Sequence, residues 1–162
     1  MPENEPATDA RHELAYLEDF EVGMVRRSRA DYYLDPDEIK TFAAKWDPQP
    51  WHLDEDAARD STFAGLVTCA PHLFCIQAWL LARSDPQPAL IAGLGMDELR
   101  LVSPGRAGDR LSLTAETIAV RPSVSRPGAG IVRTATRLHN QSDDTVMTTV
   151  GSMMVHRRSA AR

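Results

Sequence analysis

Residues 71–83, PHLFCIQAWLLAR, constrain the fold more than any other stretch of the chain. Only His72, Gln77 and the closing Arg83 interrupt the apolar residues, so at helical pitch no face is left for water. A helix of this kind has to be covered by other parts of the chain. The turn Ser84-Asp85-Pro86-Gln87-Pro88 ends it. Beyond that turn the hydrophobic period changes to two. Leu111, Leu113 and Ala115 alternate with polar neighbours, as do Val132, Thr134, Thr136 and Leu138. Val146, Thr148 and Val150 begin a third run. Loops at Pro104-Gly105, 122–130 and 140–144 separate these runs. The expected architecture is α+β, an antiparallel sheet curled round one buried helix at roughly 70–83.

Upstream, Asp35 supplies an N-cap, Pro36 the first helical position, and Asp37 and Glu38 an acidic first turn. Ile39, Phe42, Ala43 and Trp46 then fall on one apolar face. This helix should stop at Trp46, because Asp47 precedes Pro48 and residues before proline avoid the helical region. A shorter helix is expected from Asp54 through Glu55, Ala57 and Ala58.

The 162 residues suit one domain, with 43% hydrophobic and 25% charged residues, so the chain can build a core without staples. Residues 1–12 read as a flexible tail, 13–158 as a single domain and 159–162 as a polar tail. A formal net charge of −5 argues against a nucleic-acid partner. No apolar run approaches the roughly 20 residues that span a bilayer. The opening MPENEPATDARHE lacks the apolar core of a signal peptide, so a soluble cytoplasmic protein is expected.

Two segments carry candidate chemistry. In Trp46-Asp47-Pro48-Gln49-Pro50-Trp51-His52, two prolines stiffen the loop around Gln49 and hold a carboxylate and an imidazole in place. Asp47 also ends a helix, where the macrodipole disfavours negative charge. A carboxylate in that field beside a histidine suits acid–base work, and an Asp-Pro turn with a packed histidine is the inert alternative. The second segment, 63–70, leads into the apolar helix. Pro71 has no N–H, so the Ala70 amide is the natural donor for an anion or a developing oxyanion at that helix end. Most helix ends hold only water or a cap.

In the order and spacing of these segments the chain resembles the MaoC-like dehydratases, a hot-dog-fold family that includes (R)-specific enoyl-CoA hydratases. The family motif runs Asp-x-Asn-Pro-(aliphatic)-His, then an alanine-containing helix, then Phe-x-x-(Pro or Arg)-Ile-x-His-Gly. Here Asp47-Pro48-Gln49-Pro50-Trp51-His52, Ala57-Ala58 and Phe63-Ala64-Gly65-Leu66-Val67-Thr68-Cys69-Ala70 follow it without a gap. The likeness extends from Tyr16-Leu17-Glu18-Asp19-Phe20-Glu21-Val22-Gly23 to about Arg158. It is nearest to a branch that writes Asp-Pro-Gln-Pro-Phe-His. The departures are Gln49 for asparagine, Cys69 for histidine, Ala70 for glycine with Pro71 following, and Ala78 where some hydratases place a serine.

This resemblance implies a hydro-lyase that adds water to, or removes it from, a 2-enoyl-CoA thioester in fatty-acid metabolism. Asp47 and His52 would be the catalytic pair, the Ala70 N–H the oxyanion donor, and Gln49 a further substrate contact. It implies no metal and no cofactor beyond the coenzyme A of the substrate, and a homodimer or higher homo-oligomer with the acyl group between subunits. A hot-dog thioesterase and a non-catalytic acyl-thioester binding subunit are the rival readings. His72 reads as a hydrogen-bonded core histidine, and Cys69-x-x-His72-x-x-Cys75 as no zinc site, since helical residues would have to converge on one ion. Arg100, Arg106, Arg110, Arg121, Arg126, Arg133 and Arg137 cluster in the strand half. They suit coenzyme A phosphates or a merely solvated face.

Overall fold

Asp35 caps the first helix as its sequence requires. In the computed structural model, which describes residues 14–158, its side chain accepts from the Asp37 and Glu38 N–H groups at 2.9 and 3.0 Å. The stretches 1–12 and 159–162, expected as tails, lie outside the described residues. Short strands β1 (Leu14–Ala15), β2 (Val25–Ser28) and β3 (Tyr32–Tyr33) precede α1 (Pro36–Trp46), which ends before the Asp-Pro pair. The loop after it holds one helical turn that the spacing of prolines did not announce, α2 (Pro50–Leu53). Then come α3 (Glu55–Arg59), capped by Asp54, and α4 (Ala70–Leu81). The remainder is strand: β4 (Ser84–Asp85), β5 (Gln87–Pro88), β6 (Leu90–Leu101), β7 (Arg110–Pro122), β8 (Ala129–His139) and β9 (Thr145–His156).

The main sheet runs β4-β2-β7-β8-β9-β6, all antiparallel, with β3 added along β7. Leu73, Ile76 and Leu80 of α4 pack into its concave face against Leu111, Leu113, Ala115, Leu138 and Met147. The result is the hot-dog arrangement, a helix laid in a curled antiparallel sheet.

Two expectations need correction. The helix at 70–83 was expected to leave no face for water, yet Phe74, Cys75, Ala78 and Ala82 are exposed while His72 and Gln77 are buried. One sheet covers only one side of a helix, so a single chain leaves an apolar strip uncovered. The third strand run also has a different phase. Thr136 pairs with Thr149 and Leu138 with Met147, which puts odd-numbered residues of β9 on the concave face. Val146 is buried as well, because the register shifts at His139 and inserts it as a bulge. Thr148 and Val150 lie on the other face and are only partly buried.

Candidate active site

The Asp47 and His52 side chains converge where α1 ends and α2 turns. Asp47 is the C-cap residue of α1, held by its N–H to the Ala43 carbonyl at 2.9 Å. Its own carbonyl accepts from Gln49 N–H at 2.8 Å, and Gln49 caps α2 by accepting from His52 N–H at 3.0 Å. This run of backbone bonds folds the loop so that Asp47 Oδ2 lies 3.7 Å from His52 Nε2. Such a gap is too long for a direct hydrogen bond and suits one water held by both groups. His52 is 7% exposed, whereas Asp47 remains partly open to solvent.

The tautomer of His52 follows from its neighbours. Nδ1 lies 2.7 Å from the Val67 carbonyl oxygen, which can only accept, so in the neutral ring Nδ1 carries the hydrogen. Nε2 then carries the ring's one acceptor lone pair, which takes the Trp51 indole Nε1–H at 3.2 Å, with Asp47 Oδ2 3.7 Å away. Sequence reasoning did not find Trp51 or the Val67 carbonyl. The family motif places only an aliphatic residue at the first, and a backbone acceptor has no sequence signature.

Val67 also ties this pair to the start of α4. Ala70 is the first residue of α4, and among the described residues no acceptor takes its N–H. Pro71 removes the next donor, as expected. The charge of Asp47 reaches this helix end: together with burial, the larger effect, it pushes the Cys69 thiol up. The structure therefore brings Asp47, His52 and the head of α4 together. The Gln49 side chain is exposed, and its backbone shapes the turn.

The other sequence candidates are placed as follows. His72 is 3% exposed, bonded to the Thr68 hydroxyl at 2.8 Å and stacked on Phe42 with ring centres 4.4 Å apart, a core histidine as expected. Cys69 is buried and Cys75 exposed. Arg100, Arg133 and Arg137 pair with Glu98, Asp97 and Asp143 at the surface, and Arg106 donates to the Phe63 carbonyl at 2.8 Å. Arg121 and Arg126 form no ion pair among the described residues. A cavity of about 550 Å³ opens along the other side of α4, between Phe74, Ala78 and Leu81 and a floor of Thr134, Thr149 and Gly151. Neither Asp47 nor His52 lines it within one chain.

Comparison with known proteins places this geometry. Residues 19–137 match the family model described as a MaoC like domain. The crystal structure of a MaoC-like dehydratase from Rhodospirillum rubrum has a TM-score of 0.81 and 37% identity, covering 89% of this chain and 98% of that one. The (R)-hydratase PhaJ1 of Pseudomonas aeruginosa has a TM-score of 0.72 at 25% identity, covering 88% and 86%. An (R)-hydratase from A. caviae, described as involved in PHA biosynthesis, has a TM-score of 0.68 at 26% identity, covering 84% and 97%.

Proposed function

Because the chain belongs to the MaoC-like domain family, we propose that it is a hydro-lyase acting on 2-enoyl thioesters, with coenzyme A as the acyl carrier. The observation that carries this reading is the 3.7 Å gap between Asp47 Oδ2 and His52 Nε2, both acceptors, facing each other. A water held across that gap donates one hydrogen to Asp47 and, taking the single Nε2 lone pair over from the Trp51 N–H, the other to His52. As its oxygen bonds to Cβ of the enoyl group, one of the pair takes its proton, and negative charge moves to the thioester oxygen. The donor proposed for that charge is the Ala70 N–H, with the positive end of α4 behind it. Proton delivery to Cα, from the pair, completes a 3-hydroxyacyl thioester, and dehydration runs the same steps backwards. The proposed chemistry uses acid–base groups and the backbone alone.

The acyl chain needs an apolar sleeve, and the cavity along α4 is the one that fits. It lies on the exposed strip of the helix, apart from the pair within a single chain, so a second copy is proposed to bring the two together. Purified protein should abolish the enoyl absorbance of crotonyl-CoA or of a longer enoyl-CoA, and release no free thiol from the saturated thioester. Thiol release would favour the thioesterase reading. Binding without either reaction would favour a non-catalytic subunit.

A further inference from the structure

Arg26 inverts the usual rule for charge in this molecule. The arginines in ion pairs sit at the surface, such as Arg59 with Asp56 and Arg133 with Asp97. Arg26 is 2% exposed and, among the described residues, has no carboxylate within ion-pair reach. It stands on β2 opposite Ala115 of β7, and so shares the concave face with the core residues of β7. Among the described residues its side chain makes hydrogen bonds only from Nη1, to the Ser84 hydroxyl at 3.2 Å and the Pro86 carbonyl at 3.5 Å. Nε is buried with no acceptor, and so is the hydroxyl of Thr117, two residues along β7 from Ala115. A guanidinium withdrawn from water without a counter-charge is costly, and burial alone draws down its hold on its proton.

Arg26 is also the only charged residue, among those described, that lines the cavity beside α4. Gln77 lines the same cavity. It is 4% exposed, and its Oε1 accepts from the Thr149 hydroxyl at 3.1 Å, leaving its NH2 group without an acceptor among the described residues. The rest of the wall is mainly apolar, with Phe74, Leu81 and Met96, and its remaining polar residues, such as Thr134, Thr136 and Ser152, are neutral. An apolar sleeve with unspent donors and a lone positive charge is complementary to a chain that ends in an acceptor-only anion.

We propose that Arg26, with Gln77, binds a carboxylate at the far end of the ligand's chain, so that the cavity selects ω-carboxyacyl groups over methyl-terminated ones. This rests on the reading of the cavity as the acyl site. It assigns a substrate class within that reading, the thioester of a dicarboxylic acid. A structural role alone, tying β2 to the turn after α4 through Nη1 and setting the guanidinium 5.8 Å from the centre of the Phe20 ring, leaves the buried Nε and the open cavity unexplained.

Saturated thioesters test the assignment without any turnover. Calorimetric titration with suberoyl-CoA and octanoyl-CoA, matched in length, should show suberoyl-CoA binding about 10- to 100-fold more tightly, the range for a hydrogen bond to a charged group. In Arg26→Gln that preference should fall to near unity with octanoyl-CoA binding retained. Arg26→Lys, which keeps the charge, should restore part of it. Equal or weaker binding of suberoyl-CoA by the unsubstituted protein overturns the proposal even if no variant folds, and so does a preference that survives Arg26→Gln. Free suberate and octanoate form the third arm. Suberate binding that depends on Arg26, with neither thioester bound, keeps the carboxylate site and overturns the thioester reading instead. Binding of none of the four ligands overturns the carboxylate site.

Discussion

Asp47 and His52 are five positions apart in sequence and 3.7 Å apart in space, and backbone bonds at Asp47, Gln49 and His52 shape the loop between them. Their replacement should therefore spare the fold. Asp47→Asn and His52→Ala should each lower hydration of an enoyl-CoA about 100-fold or more with unchanged circular dichroism. Near-parental turnover in either would remove that residue from the mechanism. The pair was legible because its spacing is carried by local chain. The partners of His52 were not, since Val67 offers a main-chain oxygen and Trp51 a hydrogen bond that aromatic packing does not announce. Arg26 was invisible for a different reason: the strand that carries it has only four residues, too few to show which face they take. His72 makes a further prediction. Burial lowers its proton affinity in the native state, against the pull of Glu38 3.6 Å away. The unfolded chain then binds the extra proton first as pH falls below about 6.5, so this contribution is full above that value and is lost on acidification. The melting temperature should fall less between pH 7 and pH 5 in His72→Gln than in the parent. Parallel profiles would show that His72 does not contribute to acid sensitivity.

At the scale of elements, α1, α3 and α4 were readable from caps, prolines and apolar patterning, whereas the single turn of α2 and the strand β6 escaped notice. Its register against β9 shifts at three places, between Leu90 and Ala92, Gly93 and Gly95, and Met96 and Glu98. Each shift resets which side chain faces the sheet's concave side, so the alternation that exposed β7 and β8 is scrambled. The same irregularity serves the cavity. Gly93 lines it, and a Cβ built there would have no atom within 4 Å. Gly93→Leu should leave the melting temperature unchanged while narrowing the sleeve, so that kcat/KM falls more for long enoyl-CoA substrates than for crotonyl-CoA. An equal loss for both would place the acyl chain elsewhere. Asp35 tests the opposite coupling. It caps α1, whose other end carries Asp47, and Asp35→Ala should cost about 0.5–2 kcal/mol of stability, read from denaturant midpoints. With the far end of α1 still bonded, turnover of the folded fraction should hold.

At the scale of the whole molecule, one chain is an incomplete enclosure. The sheet extends past the helix: Met96, Leu99 and Leu101 of β6 lie on the concave side, paired with Gly151, Thr149 and Met147, yet remain exposed. Beside them α4 shows water its strip of Phe74, Cys75 and Ala78. β6 is also an edge strand with a row of unpaired backbone groups, long and apolar enough to invite association. These features flank the cavity, which on the proposed reading is completed by the Asp47–His52 pair of a second copy. A second copy related by a twofold axis satisfies all of them at once, since one patch can cover its own equivalent. The expected mass by light scattering at micromolar concentration is at least twice that of one chain. Leu99→Glu with Leu101→Glu, buried against an identical surface, should set like charges across the junction and lower that mass to a single chain. If the acyl sleeve and the catalytic pair meet only across the junction, the monomeric variant should lose hydratase activity while keeping the circular dichroism of the parent. A folded monomer with full activity would show that one chain holds a complete site.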